Sequence, residues 1–243
     1  MTAPIYAVGD IHGQLSMLDD ALARIEADGG AGSPVVFLGD YVDRGPDSAG
    51  VITRLAGGID EGRDWTCLLG NHDRMFRGFI GDTPRGDPYL MVGWDWFHPR
   101  LGGSDTLASY GAEPEEGERV FRLHRRARAV VPERHLAFLD SLHTHHERGG
   151  LLFVHAGIRP GVALQDQTED DLIWIRTEFH NHRDPHPWLV VHGHTPVPQA
   201  THYGNRVNLD TGAGYGDPLT VAVFEDGEAF RLTAQGRVPL PPP

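Results

Sequence analysis

Asp10 and His12 stand two positions apart in "GDIHG", directly after the apolar run "PIYAV". On an extended chain, side chains at i and i+2 point the same way, so this carboxylate and imidazole can reach one cation. A turn in which Asp10 caps the following helix is the ordinary alternative. Four more donors follow apolar runs in the same manner: Asp40 after "PVVFL", Asn71 after "WTCLL", His155 after "LLFV" and His194 after "WLVV". Carboxylate, carboxamide and imidazole make up the mixed nitrogen and oxygen set that first-row divalent metals accept. The stretch "FLGDYVDRGP" adds Asp43 and Arg44 close behind Asp40. Two carboxylates and a guanidinium so near one another form either a solvated turn or a site that holds charge.

Each of the five apolar runs reads as a buried strand whose carboxyl end delivers chemistry. Between the first two, "QLSMLDDALARIEADGG" sets Leu15, Leu18, Leu22 and Ile25 at helical spacing and stops at Gly29 and Gly30. "PDSAGVITRLAGG" repeats that plan, and "PERHLAFLDSL" recovers it through Leu136, Leu139 and Leu142. Strands alternating with helices predict an α/β fold whose ligands bind beyond the carboxyl ends of the strands, where the five polar clusters converge. "LTVAVFEDGEAFRLTA" predicts a hairpin turning at Asp226-Gly227. Residues 81–131, rich in Gly, Pro and aromatic side chains and weak in periodicity, read as a covering insertion. With no internal repeat and no Pro- or Ser-rich linker, one domain spanning 1–243 is expected.

Composition narrows the function. At 40% hydrophobic and 23% charged the chain is globular, with disorder confined to "VPLPPP". Lys and Arg total 21 against 34 Asp and Glu, a net charge of −13. A surface of that sign repels phosphate backbones and anionic lipid, so neither nucleic acid nor membrane is expected as a partner. The single cysteine, Cys67, cannot form an internal disulfide and suits a reducing cytoplasm. No apolar run approaches the ~20 residues of a membrane span. "MTAPIYAVGD" lacks the basic and long apolar regions of an export signal, so a cytoplasmic location is expected.

Gly9-Asp10-Ile11-His12-Gly13, Gly39-Asp40-Tyr41-Val42-Asp43-Arg44-Gly45, Gly70-Asn71-His72-Asp73, His155-Ala156-Gly157 and Gly193-His194 resemble, in order, the signature blocks of the phosphoprotein phosphatase (PPP) family of binuclear metallophosphoesterases. "GGSDTLASYG", "IWIR" and "VNLDTGA" are similar to segments of its small bacterial serine/threonine protein phosphatases. The resemblance implies a β-sandwich flanked by helices with the active site at the carboxyl ends of strands. It makes Asp10 and His12 ligands of one metal, Asn71, His155 and His194 ligands of the other, and Asp40 the bridge. Two divalent ions are implied, Mn first, with Fe, Zn or Ni as alternatives; they activate hydroxide and clamp the phosphoryl group. His72, left unligated, becomes the general acid, with Asp43 as its anionic partner. Arg44 and Arg176 are the phosphate-binding candidates, because a guanidinium matches two phosphate oxygens. For Arg176 a helix-surface ion pair is the rival. The motif match selects His194 over His192, which supports the strand end or faces the substrate. One departure is Asp73, where the family usually carries Glu.

The expected enzyme hydrolyses phosphomonoesters of phosphoproteins, phosphoserine and phosphothreonine first, with phosphotyrosine as an extension. A symmetrical diadenosine tetraphosphate hydrolase is the rival reading, since "GNHD" also occurs there; those relatives typically lack the acid at the position of Asp43. A silent phosphoprotein-binding module is a third, disfavoured because every block is intact. His143, His145 and His146 in "HTHHE", and His180, His182 and His186 in "HNHRDPH", read as solvated surface rather than a third metal site. Arg122, Arg125, Arg126 and Arg128 read as a face balancing "EPEEGE", and Trp94, Trp96 and Phe97 as packing under a loop.

Overall fold

A computed structural model describes residues 3–243. The first two residues of the expected 1–243 domain, and of the segment read as lacking a leader, lie outside the described residues. All five apolar runs are strands: β1 (Ile5–Val8), β2 (Val35–Phe37), β3 (Trp65–Cys67) and, after the edge strand β4 (His145–Arg148), β5 (Leu151–Val154) and β6 (Leu189–His192). They do not share one sheet. β1, β2 and β3 run parallel, and β1 is extended on its other side by the antiparallel β9 (Val221–Glu225), β10 (Glu228–Thr233) and β11 (Gly236–Pro239). β5 and β6 run parallel with β8 (Arg206–Asn208) in a second sheet edged by β4 and β7 (Thr201–His202).

Alternation along the strands explains how two sheets stack. Ile5 and Ala7 of β1, Val36 of β2, Phe153 of β5, Val191 of β6 and Phe224 of β9 form one apolar layer between the sheets. Tyr6, Val8, Val35 and Phe37, on the opposite pleat, join the larger core under the helices. Helix α1 (Leu15–Gly29) buries Leu18, Ala21, Leu22 and Ile25, the face set by its apolar spacing. Helix α2 (Ser48–Asp60) starts at Asp47, whose carboxylate accepts the Gly50 N–H at 2.7 Å. The β9–β10 hairpin turns at Asp226 and Gly227, both at positive φ (49° and 85°), as a two-residue primed turn demands.

Helix α3 (Asn71–Ile80) opens directly beyond β3. The 81–131 segment is more ordered than its sequence implies, containing α4 (Gly103–Ser109) and α5 (Val120–Val130). Trp96, Leu107, Leu123 and Ala127 from this segment are buried in the larger core. The seven residues of α4 are too few to show a helical period, and α5 buries only Leu123, His124 and Ala127. Arg126 of α5 pairs with Glu115 and Glu118, the balance expected of the basic cluster. Helix α6 (Glu133–Asp140) follows, and α7 (Glu169–Trp174) and α8 (Thr177–Asn181) lie between β5 and β6. Arg74 of α3 ties these parts together through Asp87 at 2.7 Å and Asp170 at 2.5 Å. Among the described residues no helix is long and apolar enough to cross a membrane.

Candidate active site

Sharp turns beyond the strand ends carry the polar clusters, and the backbone shows it. His12, Asp40, Asp43, Arg44 and His194 have φ of 47°, 54°, 75°, 68° and 68°. Such geometry costs ~1–3 kcal/mol per non-glycine residue and persists only where the surroundings enforce it. Gly39, at φ 101°, lets the β2 turn press against the β3 turn; a Cβ there would lie 2.6 Å from the Gly70 nitrogen and 3.0 Å from His155 Nδ1. Asp73 locks the two turns together by accepting the backbone N–H of Asp40 (2.7 Å), Tyr41 (2.8 Å) and Gly70 (2.9 Å). The shorter acid thus serves all three donors.

His12 and His155 each donate Nδ1–H to a backbone carbonyl, of Val42 and Leu38, both at 2.8 Å. Their Nε2 lone pairs therefore point inward, 3.5 Å and 3.4 Å from opposite oxygens of Asp40. Asn71 Oδ1 lies 3.0 Å from His155 Nε2 and 2.8 Å from His194 Nδ1, while His194 Nε2 is buried without a partner. Separations of ~3–3.5 Å are those of ligands sharing a cation at ~2.0–2.2 Å. Among the described residues, the close sets are His12, Asp40 and His72, and Asp40, His155 and His194, each within 4.8 Å. Neither set includes Asp10, whose oxygens accept the His194 N–H at 3.0 and 3.2 Å.

Electrostatics fit the same occupants. Burial, then the charges of Asp210 and Asp40, raise the Asp10 carboxyl well above the carboxylate range. Burial raises Asp210 to about 6. For Asp40 burial acts in the same sense, but the surrounding His155, His72, His12 and His194 hold it below its ordinary value. Burial lowers His12, His155 and His194 below the ordinary imidazole range, toward the neutral form in which imidazole binds metal. Buried carboxyl groups, Asp10, Asp40 and Asp210 among them, beside imidazoles shifted toward the neutral form would be balanced by cations, so the residues fit a divalent pair.

Beside this cluster, His72 Nδ1–H donates to Asp43 Oδ2 at 2.5 Å, and both residues are buried, at 3% and 0% exposure. Arg44 faces His12 Nε2 with Nη1 at 2.5 Å and His72 Nε2 with Nη2 at 3.0 Å, over the Tyr215 ring at 4.8 Å. It also lines a cavity of about 550 Å³ with Pro99, Arg100, Asp105, Gly214 and Tyr215. Arg176 makes no ion pair among the described residues, so the rival helix-surface pair is not formed; burial lowers its guanidinium from the ordinary value, and Asp40 and Arg44 are charges acting on it. His192 donates to the Gly193 carbonyl and accepts from Arg206 at 3.1 Å, holding its strand end away from the donor set.

The other histidine tract differs from its sequence reading. His180, His182 and His186 are half-buried, with His186 stacked on Phe179 at 5.7 Å and His182 on His186 at 4.8 Å, because the chain after α8 folds back over the buried Phe179. His145 and His146 lie in the edge strand β4, and the His143 backbone pairs with that of Leu68. Sequence reasoning did not single out Asp210, Thr106 or Tyr215. Asp210 lies within "VNLDTGA" and Thr106 within "GGSDTLASYG", matched segments that offered a signal; Tyr215 had none.

A sandwich with paired cation sites at its strand ends defines a metal-dependent phosphoesterase. The calcineurin-like phosphoesterase family matches residues 3–224, and the chain belongs to it. Serine/threonine-protein phosphatase 1 of Salmonella typhimurium strain LT2 is 30% identical over 227 residues, 90% of this chain and 90% of its own. An asymmetrical bis(5'-nucleosyl)-tetraphosphatase, PrpE of Bacillus thuringiensis strain Al Hakam, is 25% identical over 249 residues, 93% of this chain and 92% of its own. The fold is shared with the cold-active protein-tyrosine phosphatase of a psychrophilic Shewanella, at TM-score 0.66 and 16% identity, over 99% of this chain and 81% of that one. The protein is a hydrolase of the metallophosphoesterase class.

Proposed function

We propose that the protein is a cytoplasmic phosphatase acting on phosphomonoesters of phosphoproteins, phosphoserine and phosphothreonine first. The carrying observation is the buried Asp43 carboxylate 2.5 Å from His72 Nδ1. An alkoxide leaving from a phosphomonoester is a poor leaving group and needs a proton, which this pair is suited to deliver.

Asp10 and His12 would hold one divalent cation, Asn71, His155 and His194 the other, and Asp40 both; the mixed nitrogen and oxygen set suits first-row divalent metals, and the family resemblance puts Mn first among them. When bound, the two cations supply the nucleophile at neutral pH and neutralise charge on the phosphoryl oxygens. Arg44 and Arg176 orient those oxygens through paired N–H donors. In turning from His72 Nε2 to phosphate, Arg44 releases that nitrogen to carry the proton toward the leaving oxygen. Asp43 accepts Nδ1–H and keeps the imidazole correctly aimed.

A second reading, phosphoanhydride hydrolysis of a dinucleoside polyphosphate, is supported by the 25% identical tetraphosphatase, although that relative is named asymmetrical. Purified protein assayed with Mn²⁺ on a phosphoserine peptide, an aryl phosphate and diadenosine tetraphosphate separates the two. Turnover of the peptide well above an Asp40→Asn control is expected. Cleavage of the tetraphosphate alone would transfer the assignment, and no turnover with any divalent metal would end both readings.

A further inference from the structure

We infer that Trp96 and Thr106, both from the 81–131 segment, are positioning residues for proton delivery: they fix the Asp43 carboxylate that aims His72. The inference rests on the reading of His72 as the general acid and assigns this part of the insertion to the chemistry of the site.

A carboxylate has about four acceptor positions, and a buried one is held only as firmly as its donors hold it. Asp43 Oδ2 takes His72 Nδ1–H at 2.5 Å and the Trp96 indole N–H at 2.9 Å. Oδ1 takes the Thr106 hydroxyl at 2.6 Å and a longer contact from the same indole at 3.1 Å. Thr106 Oγ1 in turn accepts the Asp43 backbone N–H at 2.8 Å, so one hydroxyl grips both ends of the residue. That backbone has φ 75°, a conformation that must be enforced from outside.

The two donors are themselves braced. Trp96 stacks on Phe76 at 5.4 Å and packs on Phe79 at 5.1 Å, both on α3, whose first turn carries His72. A Cβ on Gly103 would lie 2.6 Å from the indole ring, so α4 begins flush against it. Thr106, fully buried, sits one turn further along α4. Helix α3 therefore carries the acid and supports the indole that orients the acid's partner. An indole N–H needing only satisfaction could use any carbonyl; this one is spent on the carboxylate bound to His72.

Trp96→Phe keeps an aromatic, though smaller, ring and removes the N–H; Thr106→Val removes the hydroxyl and Thr106→Ser restores it. A leaving group of low pKa needs little protonation, so a fault in proton delivery shows on an alkyl phosphate and is masked on a nitrophenyl phosphate. With both cations loaded, each of the first two variants is expected to lose about tenfold more kcat on a phosphoserine peptide than on nitrophenyl phosphate, less than the ~10²–10⁴-fold that removing the general acid itself costs. KM should stay within about twofold, as expected when a transition-state interaction is lost. Thr106→Ser should recover most of the difference. In a His72→Asn background neither substitution should add a further loss, because the residues act as one unit. Equal losses on both substrates, or losses that multiply with His72→Asn, would make the pair packing residues and overturn the inference. If Trp96→Phe does not fold, the Thr106 series decides alone. Wild-type protein inactive on every phosphate would instead strike the reading of the site, and the inference with it.

Discussion

Asp43 carries more of the site than its place in a charged turn announces. Its carboxylate is buried, at positive φ, and shared among an imidazole, an indole and a hydroxyl. His72→Asn keeps the residue's approximate size and removes the transferable proton. It should lower kcat on a phosphopeptide by ~10²–10⁴-fold. Metal content, measured by plasma emission, should stay near that of the wild type, since Asp40, Asn71, His155 and His194 are untouched. Equal turnover by His72→Asn and wild type on alkyl phosphates would remove His72 from the acid position. Arg44 matters differently, because its fork now spans His12 and His72. Arg44→Lys preserves charge but gives up the paired donors, and KM for an aryl phosphate should rise about tenfold, the scale of one lost charge-assisted hydrogen bond.

Among the elements, the turns beyond the strands decide the geometry. Strand length and parallel pairing bring β1, β2 and β3 to one line and β5 and β6 to another. Glycine then permits the close approaches. Gly102 has φ 89°, and a Cβ on it would lie 2.4 Å from the Arg44 nitrogen, so the start of α4 rests on the turn that carries Arg44. Gly102→Ala combines a left-handed strain with that clash and should cost ~1–3 kcal/mol. At this chain length each kcal/mol moves Tm by ~2–4 °C, so a fall of several degrees is expected by calorimetry. A variant melting with the wild type would show that α4 and the Arg44 turn shift apart freely, against a rigid contact between insertion and site.

For the whole molecule, charge bears on stability. The chain carries −13 net, and the buried carboxyl groups of Asp10, Asp40 and Asp210 lie close enough to act on one another. Cations that bind only the folded state add stability by mass action, ~2.7 kcal/mol at a hundredfold excess over Kd. Mn²⁺ should therefore raise Tm by about 5–10 °C over chelator-treated protein, and Asp40→Asn should abolish most of that rise. No difference between metal-loaded and chelated protein would argue against a site at Asp40. The donor types, the strand and helix alternation and the Asp226-Gly227 hairpin were legible in the sequence, because each depends on neighbours within a few positions: a period of two or 3.6, or a block of adjacent residues. The resemblance of whole blocks supplied the sandwich. Tertiary structure alone divided the five strands between two sheets and folded the His180 to His186 tract onto Phe179. It alone brought Trp96 and Thr106 across 53 and 63 residues of chain to Asp43. Those contacts come from packing between distant segments, and no local period or composition records which indole will meet which carboxylate.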